Sequence, residues 1–236
     1  METQMIVAVI TLTILVAFAL AFWDKTSYHR IPRRIWTYWE EPDHVSPDKR
    51  LSDTATKCIE SWRKWNPKDE VIVLTKRTYQ GYVTIPEEIR THPLFTDRFS
   101  DLLRLWVLAE RGGVWMDPTV FVTSPLEDWL FPKYAEFAGY YREARTMDKP
   151  MIQSWFLACQ KGSPFIIKWR DSFSELVRYA KIESYLAYKD ISVQDPMNHL
   201  MEIAVQDVLR TYPIGGLILR KEESMDKLVK FTSLDR

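Results

Sequence analysis

The run RFSDLLRLWVLAERGGVWMDPT, residues 98–119, decides the fold. Leu102, Leu103, Leu105, Trp106, Val107 and Leu108 make a segment that is apolar on most sides, as a helix packed into a domain is. Asp101 and Arg104 stand three residues apart, so a helix brings them to one face. Gly112-Gly113 then closes the helix, because glycine takes positive φ cheaply, and Val114–Met116 reads as a short buried strand. Asp117 ends that strand. In open α/β sheets ligands bind beyond the C-terminal edge of the strands, so this acid is placed to meet a metal or a polar substrate.

Outward from this run the periodicity alternates between 2 and 3.6. Ile35–Trp39 is a β-rich stretch, and Asp53–Trp65 carries Ala55, Cys58, Ile59, Trp62 and Trp65 at helical spacing before the stop Asn66-Pro67. Val71–Thr75 follows as a buried strand. Strand, helix, strand is a βαβ unit with a right-handed crossover and parallel pairing, and its rim is a natural nucleotide site. Phe99–Arg111 is predicted as a helix and Val120–Val122 as a further extended piece. Ala135–Tyr141 and Met151–Ala158 are predicted strands, Pro164–Tyr188 one long helix, and Met197–Arg210 another helix. The expected class is α/β.

Composition narrows the function. The 32 basic and 32 acidic residues balance, so no global field attracts nucleic acid, and no basic stripe interleaved with aromatics appears. Cys58 and Cys159 lack metal-ligand spacing and read as buried reduced thiols in preference to a disulfide. Met5–Trp23 has no charge and only Thr11 and Thr13 as polar interruptions, long enough to cross a bilayer. A cleaved signal peptide is the alternative, with Ala19-Leu20-Ala21 as its cleavage motif, but the positive n-region is missing. Lys25, Arg30, Arg33 and Arg34 follow the stretch and no Lys or Arg precedes it, which predicts a single-pass membrane protein with its domain in the cytoplasm.

Four blocks carry a family resemblance: IPRRIWTYWEEP (Ile31–Pro42), KCIESWRKWNPKDEVIVLT (Lys57–Thr75), the Arg98–Thr119 run, and SWFLACQKGSPFIIKW (Ser154–Trp169). In order and spacing they resemble GT-A glycosyltransferases of the capsular polysaccharide synthesis type, related to the family 32 sugar transferases. The resemblance implies a GT-A fold, a Rossmann-like mixed sheet flanked by helices, over residues 35–236. The transmembrane anchor (1–23) and a basic juxtamembrane linker (24–34) precede it. It also implies transfer of a hexose from a nucleotide diphosphate sugar to a glycan acceptor with retained configuration, assisted by Mn2+ or Mg2+. A degenerate, non-catalytic subunit that binds nucleotide sugar or glycan is the alternative.

The site residues follow from the same blocks, each beside a plainer reading. The resemblance gives Asp101 and Arg104 to the donor sugar, the carboxylate accepting its hydroxyls and the guanidinium donating to the sugar or to Asp117. As a surface ion pair they would contribute only ~0.2–0.5 kcal/mol. Asp117 is the expected metal ligand, although an Asp before Pro118 also forms turns, and Thr119 stands where a second acid is found in the wider GT-A pattern. Trp36, Thr37 and Tyr38 close the first strand where nucleotide base and ribose bind; alternation lets only one of the pairs Trp36/Tyr38 and Thr37/Trp39 face the ligand. Gly113 offers a close backbone approach to the sugar besides its helix-ending role. On the acceptor side Gln153, Ser154 and Trp155 are weaker candidates against a core-strand reading, and Asp195 is a ligand candidate against a helix cap before Pro196. The four histidines show no ligand spacing.

Overall fold

A computed structural model gives the fold, and it describes residues 30–40, 51–128, 130, 135–143, 149–179, 181–193 and 195–231. Met5–Trp23 and the linker up to residue 29 lie outside the described residues. Among the described residues no helix is long and apolar enough to cross a membrane.

Among the described residues the first element is β1 (Arg34–Tyr38), followed by α1 (Asp53–Trp65), β2 (Glu70–Leu74) and a single turn, α2 (Glu87–Arg90). Next come α3 (Phe99–Arg111), β3 (Gly113–Met116), β4 (Val120–Val122), β5 (Phe137–Arg142) and β6 (Met151–Cys159). The remainder is helical until its end: α4 (Pro164–Glu175), α5 (Ile182–Lys189), α6 (Leu200–Thr211), then β7 (Leu217–Lys221) and β8 (Leu228–Lys230). The main sheet has the order β2-β1-β3-β6-β5-β7, and β4 pairs with β8 in a separate two-stranded sheet. β1 lies parallel to both β2 and β3, whereas β6 is antiparallel to β3 and β5. The expected βαβ unit and a mixed sheet flanked by helices are both present.

The helix ends follow their local chemistry. Ser52 caps α1 by accepting from the Ala55 amide, and the Asn66 side chain donates to the Trp62 carbonyl while accepting from the Leu126 amide. Such caps satisfy groups that a helix terminus leaves without intrahelical partners. The expected single helix over Pro164–Tyr188 is instead broken. After α4 the chain tightens into a 3-10 turn at Leu176–Arg178, and Tyr179 is extended before α5 begins. Val177, Tyr179 and Ile182 pack against the core from this break, so the apolar pattern runs on where the helix does not.

Sheet alternation separates two cores. Trp36, Tyr38, Leu74, Trp115, Phe137 and Leu157 face α3, α4 and α6; Ile35, Val114, Met116 and Ala158 face α1, β4 and β8. Trp62 binds α1 to the second layer, its indole N–H donating to the Val120 carbonyl at 2.6 Å. Cys58 and Cys159 are free and buried, and burial raises both thiols, Cys58 to about 11.

Candidate active site

Two parallel strands place the site. Trp36 pairs with Trp115, so two residues further on Tyr38 and Asp117 lie level at the C-terminal rim. The Asp117 amide donates to the Trp155 carbonyl, and its own carbonyl accepts from the Val120 amide, which fixes the turn into β4. The turn-forming reading of Asp117 is thus met by its backbone, and its side chain is left to project from the strand end. Its side chain is 27% exposed, enough to reach a ligand.

The first turns of α3 end at the same rim. Asp101 lies in the opening turn and Arg104 one turn on, and Arg104 Nη2 reaches Asp101 Oδ1 at 2.8 Å and Asp117 Oδ1 at 3.4 Å. Nη1 donates to the Ser154 carbonyl, Nε to the Ser100 carbonyl at 3.4 Å, and the guanidinium lies 5.1 Å from the centre of the Trp115 ring. Trp115 also donates its indole N–H to Asp117 Oδ1 at 3.0 Å. Arg104 is only 4% exposed, so the pair is no surface ion pair. Its donors are directed to protein acceptors. The expected contact of Arg104 to Asp117 is made, and the guanidinium holds both carboxylates in place.

Asp101 is the group left facing outward, with 28% of its side chain exposed. Burial raises its pKa above the ordinary carboxylate value, opposed by Arg104, while Asp117 raises it further and Arg98 lowers it. Asp117 Oδ1 is engaged by Trp115 and Arg104, and among the described residues Oδ2 has no partner. One free carboxylate oxygen fits a Mg2+ or Mn2+ ion, which accepts one or two carboxylates and takes its other ligands from phosphate and water. Among the described residues no group of three or more His, Cys, Asp or Glu is arranged to hold a metal.

The β1 terminus carries a different signal. Thr37 Oγ1, Tyr38 OH and Trp39 Nε1 are buried and have no hydrogen-bond partner among the described residues. Buried polar groups normally find partners; Tyr38, level with Asp117 and on the same face of the sheet, is the orphan a ligand at that rim can complete, whereas Thr37 and Trp39 point to the other face. Trp36 is not part of it. Its side chain is fully buried, packs edge-on against Tyr82 and donates to the Gly112 carbonyl at 2.8 Å, pointing away from the rim.

Gly113 also departs from the expectation. It begins β3, level with the start of β1, and so lies at the opposite end of the strand from Asp117. At φ +102° an added Cβ would stand 2.7 Å from the Arg34 carbonyl oxygen. The close approach it permits is to the protein's own backbone. Trp155 is 2% exposed, stacked on Tyr140 at 5.1 Å with its N–H donating to Glu222, and belongs to the second core. Gln153 is buried with its amide donating to the Met151 carbonyl, which agrees with the core-strand reading. Asp195 is exposed and left-handed at φ 51°, accepting from the Asn198 side chain, so it shapes the turn before α6.

Ser154 does reach the site. It lines a cavity of about 360 Å3 together with Asp97, Arg98, Asp101, Met201 and Glu202. Glu202 was not singled out by the sequence, where it is an ordinary polar position in an amphipathic helix. Its side chain is 13% exposed, and burial raises its pKa to about 7, with Asp101 adding to the shift and Arg104 and Arg142 opposing it.

The mixed sheet and its flanking helices resemble the folds of solved glycosyltransferases. The structure of the PaToxG glycosyltransferase matches 87% of this chain and 80% of its own with a TM-score of 0.50 at 13% identity, a likeness of fold. A glycosyltransferase involved in glycosylation of the major capsid of PBCV-1 covers 86% of this chain and 93% of its own, with a TM-score of 0.48 and 11% identity. In sequence, the O-glycosyltransferase braB of Annulohypoxylon truncatum is 32% identical over 90 residues, 36% of this chain and 21% of that protein. The chain thus spans about a fifth of the length of the curated relative it matches. The family described as capsular polysaccharide synthesis protein matches residues 17–209, and the chain belongs to it.

Proposed function

We propose that this protein transfers a hexose from a nucleotide diphosphate sugar to a glycan acceptor. The observation that carries the reading is the Asp101–Arg104–Asp117 arrangement at the rim, where one buried guanidinium holds two partly exposed carboxylates on a rigid helix and a strand end. Breaking the bond between the anomeric carbon and a diphosphate puts charge on the leaving group, and a site that stabilises this charge accelerates the reaction. Asp117 would hold Mg2+ or Mn2+, which when bound supplies Lewis-acid neutralisation of the diphosphate. Arg104 at 3.4 Å already offsets part of the Asp117 charge, so most of the ion's affinity comes from the donor. Asp101 accepts hydroxyls of the transferred sugar, and the orphaned hydroxyl of Tyr38, level with Asp117, takes the nucleotide side.

No carboxylate is assigned as an enzyme nucleophile. Retention then requires the acceptor to approach the same face the leaving group departs from, with the leaving phosphate taking the acceptor's proton. The Met5–Trp23 stretch anchors the protein, and the basic residues after it place the domain in the cytoplasm, where nucleotide sugars are made. A non-catalytic donor-binding subunit is the second reading, favoured by Thr119 in place of a second acid. Hydrolysis of a uridine diphosphate hexose by the full chain with manganese separates them. Turnover abolished by Asp117→Asn supports transfer, and donor binding without turnover supports the subunit.

A further inference from the structure

The cavity beside Asp101 shares two walls with the site just described, since Asp101 and Ser154 belong to both. Its other walls come from the turn before α3 and from the start of α6. Arg98 closes it at one end by donating twice to the Met197 carbonyl, through Nε at 3.2 Å and Nη2 at 2.8 Å. The lining is mostly polar, with a hydroxyl, a carboxamide at Asn198, three carboxyls and the Met197 and Met201 side chains. About 360 Å3 is room for one or two sugar rings by the size of ordinary small-molecule sites.

Its charge is uneven. Asp97, Asp101 and Glu202 face Arg98, and the charge of Arg104 is divided between Asp101 and Asp117. Also near Glu202 are Arg142 on β5 and His199, the residue before α6, whose Nδ1 stands 4.0 Å from Glu202 Oε2. We propose that Glu202 is a specificity-determining residue: from α6 it makes this cavity the seat of the acceptor, admitting neutral sugars and excluding those that carry a carboxylate or phosphate. The inference rests on the glycosyltransferase reading and names the acceptor class for it. Like charges brought together in a partly desolvated cleft repel strongly, whereas carboxylates accept hydroxyl donors well, so one lining both selects and rejects. The proton on Glu202 supplies a second handle. With a pKa near 7 the group is neutral in mild acid and charged in mild base, so rejection of anions weakens as pH falls.

The test uses two acceptor fragments that differ only at C6, methyl β-glucoside with a neutral hydroxymethyl group and methyl β-glucuronide with a carboxylate. Their binding to the full chain is followed by ligand-observed NMR in the presence of uridine diphosphate. The glucuronide is expected to bind at least about tenfold more weakly at about pH 8. That gap should shrink several-fold at about pH 6, and in Glu202→Gln it should be small at both pH values. Equal binding of the two sugars to the wild type overturns the proposal, as does a gap that neither pH nor Glu202→Gln changes. Absence of binding by both, in a protein that still hydrolyses donor, overturns the placement of the acceptor and leaves the donor reading standing. Should Glu202→Gln fail to fold, the pH dependence of the wild-type gap decides alone.

Discussion

Replacing Arg104 by alanine tests how the site is held together. The guanidinium is 4% exposed and joins α3 to β3 and β6 through Asp101, Asp117 and the Ser154 carbonyl, with its face over Trp115. Removal leaves two carboxylates close together without their shared cation and a buried carbonyl without its donor. Breaking a buried ion pair by deleting one partner costs ~3–5 kcal/mol. In a domain of this size each kcal/mol lowers the melting temperature by ~2–4 °C, so Arg104→Ala should melt about 6–20 °C below wild type. Arg104→Lys should fall between the two, since an ammonium keeps the charge but cannot reproduce the planar fork. Thermal denaturation followed by circular dichroism reads the stability, and donor hydrolysis well below the transition reads the folded fraction. A melting temperature for Arg104→Ala within about 2 °C of wild type would refute the buried linkage and restore the surface pair worth ~0.2–0.5 kcal/mol.

Gly113→Ala should lower stability by upward of ~1 kcal/mol, because its Cβ meets the Arg34 carbonyl in a left-handed backbone, while the donor KM of the folded enzyme stays unchanged; a raised KM with normal stability would return Gly113 to the donor site. Glu202 has a folded-state pKa of about 7 against an ordinary 4.5, so the native state binds its proton more tightly than the unfolded chain does. Stability contributed by this group is therefore lost as pH rises from about 4.5 to 7, and melting curves across that range should fall in wild type and flatten in Glu202→Gln. In sealed microsomes an external protease should digest the domain if the Met5–Trp23 anchor leaves it on the cytoplasmic side; full protection would reverse the topology.

The elements with strong local signals were legible in the sequence. α1 begins and ends where its caps Ser52 and Asn66 place it, and α3 ends at Gly112. β7 and β8 were not, since Leu217–Lys221 is only partly buried and Val229 is exposed, so neither has a full apolar face. The break between α4 and α5 is invisible for the opposite reason, as its residues pack on the core like those of a helix. At the site, spacing brought Asp101 and Arg104 to one helix face and placed Asp117 at a strand end. The packing of α3 against β3 supplies the distance from Arg104 to Asp117, and the register of β1 against β3 sends Gly113 to the far end of the strand. Alternation allowed either pair at the β1 terminus; the hydrogen bond from Trp36 to Gly112 removes Trp36 from the rim. Glu202 reaches the cavity only through the packing of α6 beside β6, a long-range fact that no local pattern records.

Calorimetry of a uridine diphosphate hexose binding to the full chain, with manganese and with chelator, tests the central claim most directly. Asp117 has one carboxylate oxygen held by Trp115 and Arg104 and has no acidic partner at Thr119, so metal and donor must complete each other's binding. The account predicts donor affinity at least about tenfold higher with manganese, an equal gain in manganese affinity with donor, and loss of this coupling in Asp117→Asn. Equal donor affinity with manganese and with chelator, unchanged in Asp117→Asn, would contradict it.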